Sequence, residues 1–122
     1  AVSMGNPHIV FFLDSIADVP LDRIGPEIES DPLFPQGVNV NIAGVRSRSA
    51  IDLRVWERGA GLTLACGSGA CATFAAARRR GLVDAEASVR LPGGALQIAE
   101  TPAGTLAMTG PVSRVFRGET DL

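Results

Sequence analysis

Hydrophobic and polar positions along this chain fall into short runs separated by glycine, proline and acidic breaks. Residues 8–13, His-Ile-Val-Phe-Phe-Leu, form a continuous apolar run closed by Asp14-Ser15, which predicts a buried strand. Residues 38–43, Val-Asn-Val-Asn-Ile-Ala, alternate apolar with polar and predict a half-buried strand. Residues 49–56 repeat that alternation, with Ile51, Leu53 and Val55 on one face and Asp52, Arg54 and Trp56 on the other. Further strands are expected near 87–91, 95–100, 105–109 and 112–117. Pro92-Gly93-Gly94 and Thr101-Pro102-Ala103-Gly104 supply tight turns between the first three of these.

Two segments carry helical signals. Asp18 is positioned to cap a short helix starting near Val19-Pro20, and Pro26 is expected to break or kink it. A second, alanine-rich helix is expected from about Gly69 to Arg80, with Ser68 as N-cap, Arg78-Arg79-Arg80 at its negative end and Gly81 just beyond. Ala70, Cys71, Ala72, Phe74, Ala75, Ala76 and Ala77 make it small and apolar all round, so it should be enclosed by protein. The fold expected is α+β: a mostly antiparallel sheet curled around a central apolar helix, with a second helix outside.

Composition narrows the function classes. A length of 122 residues suits a single domain spanning 1–122, and 46% hydrophobic with 20% charged residues describes a globular chain. A net charge of −2 gives no basic face for nucleic acid, and no apolar run reaches the roughly 20 residues of a membrane span. The first residues lack the basic and apolar regions of a signal peptide. They lead almost directly into a strand, as a cut inside a longer chain would. Two cysteines and one histidine are too few for a disulfide framework or a four-ligand zinc set. A reducing, cytoplasmic setting is expected.

Candidate chemistry centres on Cys66-Gly67-Ser68-Gly69 at a helix start. Backbone N–H groups there bind anions, and their field lowers the pKa of a thiol, which would make Cys66 a thiolate at neutral pH. The bland alternative is a glycine-rich turn whose cysteine only packs. Cys71 lies about 140° further round the helix and reads as a small core residue. Glu57-Arg58, at a strand end, is either a solvated terminus or a pair handling the amine and carboxylate of one substrate. Asn39 and Asn41 share one side of their strand and face either solvent or a ligand. Arg78-Arg79-Arg80 reads as a solvated helix end, and Trp56 as covering an interface.

Met4-Gly5-Asn6-Pro7-His8, the stretch from Phe34 to Asn41, the long run Glu57-Arg58-Gly59-Ala60-Gly61 through Cys66-Gly67-Ser68-Gly69-Ala70-Cys71-Ala72, and the ending Met108-Thr109-Gly110-Pro111-Val112 to Gly118-Glu119 together resemble diaminopimelate epimerase, specifically its C-terminal half. The order and spacing fit across essentially the whole chain.

The resemblance implies one half of a pseudo-two-fold fold. It also implies a cofactor-independent isomerase interconverting LL- and meso-2,6-diaminopimelate on the path to lysine and cell-wall precursors. In that family two cysteines flank the α-carbon, one as thiolate base and one as thiol acid. Cys66 matches the proton acceptor; His8 and Glu57 match groups that tune the cysteine pair. Asn6, Asn39, Glu57, Arg58, Gly67 and Ser68 match substrate-binding positions. No second helix-opening cysteine is present, so the N-terminal catalytic half is absent and the chain alone is expected to lack turnover. Its implied partners are diaminopimelate, the missing half and a possible second copy of itself. The last strand, 112–117, belongs against the absent half on this reading. Rivals are a related cysteine-pair racemase of the proline type, a phenazine-type relative without the cysteine base, and a non-catalytic, self-pairing half-domain.

Overall fold

The computed structural model describes residues 1–121 and confirms the α+β reading. Its strands are β1 (Val2–Ser3), β2 (Pro7–Phe12), β3 (Asn39–Ser47), β4 (Ala50–Glu57), β5 (Gly61–Thr63), β6 (Glu86–Leu91), β7 (Gly94–Glu100) and β8 (Leu106–Thr109). Its helices are α1 (Leu21–Glu29) and α2 (Gly67–Arg79). One sheet runs β1-β2-β3-β4-β6-β7-β8, with β5 paired to β4 off that path. Five of the seven pairings are antiparallel. The two parallel ones, β2 with β3 and β4 with β6, are those whose connections contain α1 and α2.

The sheet wraps α2. Ala43, Leu53, Val55, Val89 and Ile98 from the sheet enclose Ala70, Phe74 and Ala77 of the helix in one buried cluster. Alanines let strands approach closely, and fully buried Phe74 fills the remaining space. A second cluster on the outer face sets Val40 and Ile42 against Leu21, with Ile24 and Trp56 packed beside it. Strand β3 therefore has both faces covered, and its residues 39–44 are all buried. The alternation of its sequence predicted one solvated face; the covering helix on each side explains why that face is dry.

Helix α1 departs from expectation twice. It begins at Leu21 after Pro20 with no side-chain cap, so Asp18 does not cap it. The preceding loop is instead gripped by Arg54, whose Nη1 donates to the carbonyls of Ile16, Ala17 and Val19 at 2.7, 3.1 and 2.9 Å. The helix also runs through Pro26 rather than ending there. Tertiary contacts offset the missing N–H: Trp56 lies flat against Gly25, where an added Cβ would come within 2.5 Å of its Cγ. The indole Nε1 also donates to Glu29 at 2.6 Å. Trp56 thus covers an internal helix contact.

Helix α2 begins at Gly67, and its N-cap is Cys66 rather than Ser68. Gly81, at φ +70, follows its end as predicted. The helix is not enclosed on every side. The sheet stops at β1 and β8, leaving a groove between Met4 and Leu106 along Ala75 and Arg78. Arg78 is held by Glu100 at 2.8 Å, and Arg80 stacks over Phe12 at 5.1 Å, so only Arg79 of the three is a purely solvated end.

The expected strand at 112–117 does not form. These residues pair with nothing, and Val112, Val115 and Phe116 are 96%, 88% and 83% exposed. A strand needs a neighbouring edge to satisfy its backbone groups, and among the described residues this stretch pairs with none.

Candidate functional site

Cys66 sits in extended conformation, φ −150 and ψ 101, where the chain turns from the β5 loop into α2. Its sulfur accepts the backbone N–H of Gly69 at 3.3 Å, the contact made by an N-cap side chain. The N–H groups of Gly67 and Ser68 lie in the first turn, where no carbonyl of the helix reaches them, so the helix mouth offers two donors beside the sulfur. Space for a side chain at Gly69 is tight. A Cβ there would lie 3.0 Å from the Cys66 sulfur and 3.3 Å from Val55.

A chain of polar side chains leads away from this mouth. Ser68 Oγ lies 3.7 Å from the Cys66 sulfur and accepts from Asn6 Nδ2 at 3.3 Å. Asn6 Oδ1 faces Nε2 of His8 at 3.2 Å, and Nδ1 of His8 faces Asn41 Oδ1 at 3.4 Å. Asn41 Nδ2 donates to the Gly69 carbonyl at 3.1 Å and to Thr73 Oγ1 at 3.2 Å, returning the chain to α2. His8 and Asn41 are fully buried. The parallel register of β2 and β3, with His8 beside Asn39 and Val10 beside Asn41, brings them together. Among the described residues no buried side-chain nitrogen or oxygen is left without a partner.

Glu57, at the end of β4, accepts from Thr63 Oγ1 at 2.6 Å and bears on both Cys66 and His8 through its charge. The Cys66 thiol is pushed up from its ordinary pKa, chiefly by burial. The Gly69 N–H and Ser68 hydroxyl pull it down, while the Glu57 carboxylate pushes it up further. This reverses the expectation of a thiolate at neutral pH: the helix field is present, but desolvation outweighs it. Burial likewise lowers His8, against the opposing effects of Asn41 and Glu57.

Six predicted site residues therefore gather at one place: Asn6, His8, Glu57, Cys66, Gly67 and Ser68. Arg58 does not join them. It lies in the turn just after β4, where its Nη1 donates to the Gln36 carbonyl at 2.8 Å and its stem packs on Gly37. Asn39 connects the two regions: buried, it donates to the Pro7 carbonyl at 2.9 Å and accepts the Arg58 backbone N–H at 2.8 Å. Neither Asn39 nor Asn41 is solvated. Cys71 is half-buried, with one side on the core and its sulfur 4.0 Å from Met108 Sδ.

Thr63, Thr73 and Met108 were not legible as part of this neighbourhood. Met108 closes over Gly67, where an added Cβ would lie 3.1 Å from its methyl group. No spacing in the sequence links β8 to the start of α2. Among the described residues no three His, Cys, Asp or Glu side chains converge as metal ligands, and no helix is long and apolar enough to cross a membrane.

A profile of the family described as Diaminopimelate epimerase matches residues 1–115. The chain is 57% identical over 122 residues to a protein named diaminopimelate epimerase from Rhizorhabdus wittichii, covering 100% of this chain and 44% of that one. It is 52% identical over 121 residues to proteins of the same name from Zymomonas mobilis and Synechococcus elongatus, covering 99% of this chain and 45% and 43% of theirs. The chain thus spans less than half the length of these curated relatives. Among solved structures it is similar to a Bacillus anthracis phenazine biosynthesis protein of the PhzF family. The TM-score is 0.56 at 19% identity, over 81% of this chain and 33% of that one, a likeness of fold alone.

Proposed function

The chain belongs to the diaminopimelate epimerase family, and from that premise we propose that it contributes one thiol and one anion-binding helix mouth to a cofactor-independent amino-acid epimerase site. The substrate is diaminopimelate, interconverted between its LL and meso forms. The second thiol comes from a partner half, equivalent to the remaining length of the relatives.

The observation that carries this reading is the Cys66 sulfur at the mouth of α2, beside two free backbone donors and within reach of the Glu57 charge. Removing an α-proton from an amino acid leaves negative charge that must be stabilised without an electron sink. Gly67 and Ser68 N–H groups aimed at the α-carboxylate supply part of that stabilisation, and more strongly in a site closed to water. Cys66 accepts the α-proton in one direction and returns it in the other, while the partner thiol works from the opposite face. His8 and Glu57 tune the pair, and Asn6 orients Ser68. Asn39 and Arg58 read the distal amino-acid end, which requires the Arg58 guanidinium to leave the Gln36 carbonyl.

The raised thiol pKa fits a half site. Cys66 is a thiol here because the Gly69 N–H and Ser68 hydroxyl do not offset its burial, and the partner half and substrate must supply the remaining compensation. Exposed apolar side chains around the mouth, Leu64 at 70% and Met108 at 50%, give such a partner a surface to cover. The unpaired stretch 112–117 is a further element that a partner half would pair.

The test is α-proton exchange of diaminopimelate with D2O, followed by NMR. The chain alone is expected to show none. Exchange should appear when the remaining half of a relative is supplied in trans, and vanish again in Cys66→Ala. Exchange that survives Cys66→Ala removes Cys66 from the chemistry. Exchange by the chain alone that is lost in Cys66→Ala replaces the split site with a self-paired one.

A further inference from the structure

We propose that Asn41 locks the Nδ1 proton of His8, and that Asn6 and Ser68 carry the state of the opposite ring nitrogen to the Cys66 sulfur, so that positive charge on His8 and negative charge on Cys66 favour one another. For its place in catalysis the proposal rests on the Cys66 role given above; the hydrogen bonding itself does not.

The Gly69 carbonyl only accepts, so the Asn41 atom 3.1 Å from it is the NH2 nitrogen, which also donates to Thr73 at 3.2 Å. Asn41 Oδ1 is thereby turned to His8 Nδ1 at 3.4 Å and accepts its N–H. Reversing this amide would set oxygen against oxygen in a fully buried site and leave two groups unsatisfied.

Asn6 is not locked in this way. Its two neighbours, His8 Nε2 at 3.2 Å and the Ser68 hydroxyl at 3.3 Å, can each donate or accept, so its amide has two complete settings. With Oδ1 toward Nε2, His8 must carry both ring protons. Asn6 then donates to Ser68 Oγ, and the Ser68 O–H is free to point at the sulfur 3.7 Å away, as a thiolate requires. With the amide turned by 180°, Asn6 donates to a bare Nε2 and accepts from Ser68. The remaining lone pair of Ser68 then receives the S–H of a neutral thiol. The two complete patterns are imidazolium with thiolate and imidazole with thiol. Passing between them needs one amide turn and one hydroxyl rotation. His8 takes its proton from solvent and Cys66 gives its proton to solvent, so no bond inside the relay breaks.

Other groups face the two ends. Glu57 from β4 bears on both by charge, the Gly69 N–H meets the sulfur, and Cys71 is coupled to Cys66 from the next turn of α2. All of these act independently of the Ser68 hydroxyl, which makes Ser68→Ala the discriminating change.

The chain has a single histidine, so long-range ¹H–¹⁵N NMR reads His8 directly in the unmodified, labelled protein. At neutral pH burial favours the neutral ring, so the proton is expected on Nδ1 with Nε2 bare and the Asn6 amide turned from its orientation in the structure; a proton on Nε2 overturns the lock. The coupling is read in Cys66→Asp, which places a permanent anion at the same position and keeps a good N-cap. The His8 midpoint is expected to rise by about one pH unit, a tenfold change in proton affinity. In Cys66→Asp/Ser68→Ala the rise should disappear relative to Ser68→Ala alone. A rise that survives acts through space and overturns the relay, as does no rise in the folded single variant. The tautomer measurement and substrate-free titrations stand even if the chain proves inactive.

Discussion

The sulfur of Cys66 accepts the N–H of Gly69 at 3.3 Å, so the atom proposed to carry the α-proton is also the cap of the central helix. Stability and chemistry are coupled at one side chain.

Replacing that sulfur separates the two roles. Cys66→Ala removes the cap acceptor and should cost about 1 kcal/mol, whereas Cys66→Ser keeps an acceptor and should stay nearer the parent. Urea unfolding followed by circular dichroism checks this, and equal losses in both variants would remove the capping role.

Alkaline pH should weaken the fold. The Cys66 thiol is raised in the folded chain, so the unfolded thiol ionises first, near its ordinary value, while the folded one keeps its proton. The unfolded state then binds fewer protons, and stability falls as pH rises through the interval between the two pKa values. Cys71 is raised in the same sense, so the measurement belongs in Cys71→Ser. In that background the denaturation midpoint should decline above about pH 9, and the decline should shrink in Cys66→Ser.

His8 gives an acid limb of opposite sign. Its folded pKa is lowered, so the unfolded imidazole takes a proton first as pH falls below its ordinary value of 6.5. Stability is fully present above that value and is lost progressively down through the folded midpoint. An NMR titration of His8 should give a midpoint below 6.5, and a midpoint above it would contradict the burial described here.

Gly25 cannot accept a side chain. Gly25→Ala would set a methyl group within 2.5 Å of Trp56 Cγ, and displacing the ring that pins α1 should cost about 1–3 kcal/mol. Trp56 is the only tryptophan, so its fluorescence reports both the unfolding midpoint and the change in packing.

The stretch after Gly110 should contribute almost nothing to this chain's own stability. Residues 111–121 are exposed and unpaired, and truncation after Gly110 should move the unfolding free energy by less than about 0.5 kcal/mol. A larger loss in thermal melts would mean that the stretch pairs in solution.

Much of the architecture was legible because alternation and glycine punctuation are local signals. The Ile51, Leu53 and Val55 row faces the core as predicted, and Gly81 ends α2 where its freedom at positive φ is needed. Local signals misled where distant residues intervene. Pro26 should break a helix, yet Trp56 and Arg54, from a strand thirty residues later, hold the segment in place. Residues 112–117 have the composition of a strand, but composition brings no partner edge.

The sequence by itself determined which residue types sit at the turn into α2, and therefore that a cysteine, two glycines and a serine open a helix. It also set Glu57 and Arg58 side by side at a strand end, but the turn after β4 decided that their side chains part. Tertiary structure alone decided the charge on Cys66, since the balance between helix dipole and desolvation depends on how deeply the sheet buries the sulfur. It alone joined His8, Asn6, Ser68 and Asn41 into one hydrogen-bonded chain. That connection runs from β2 and β3 to α2, and its residues meet only because the parallel strands and the wrapped helix put them within hydrogen-bond reach.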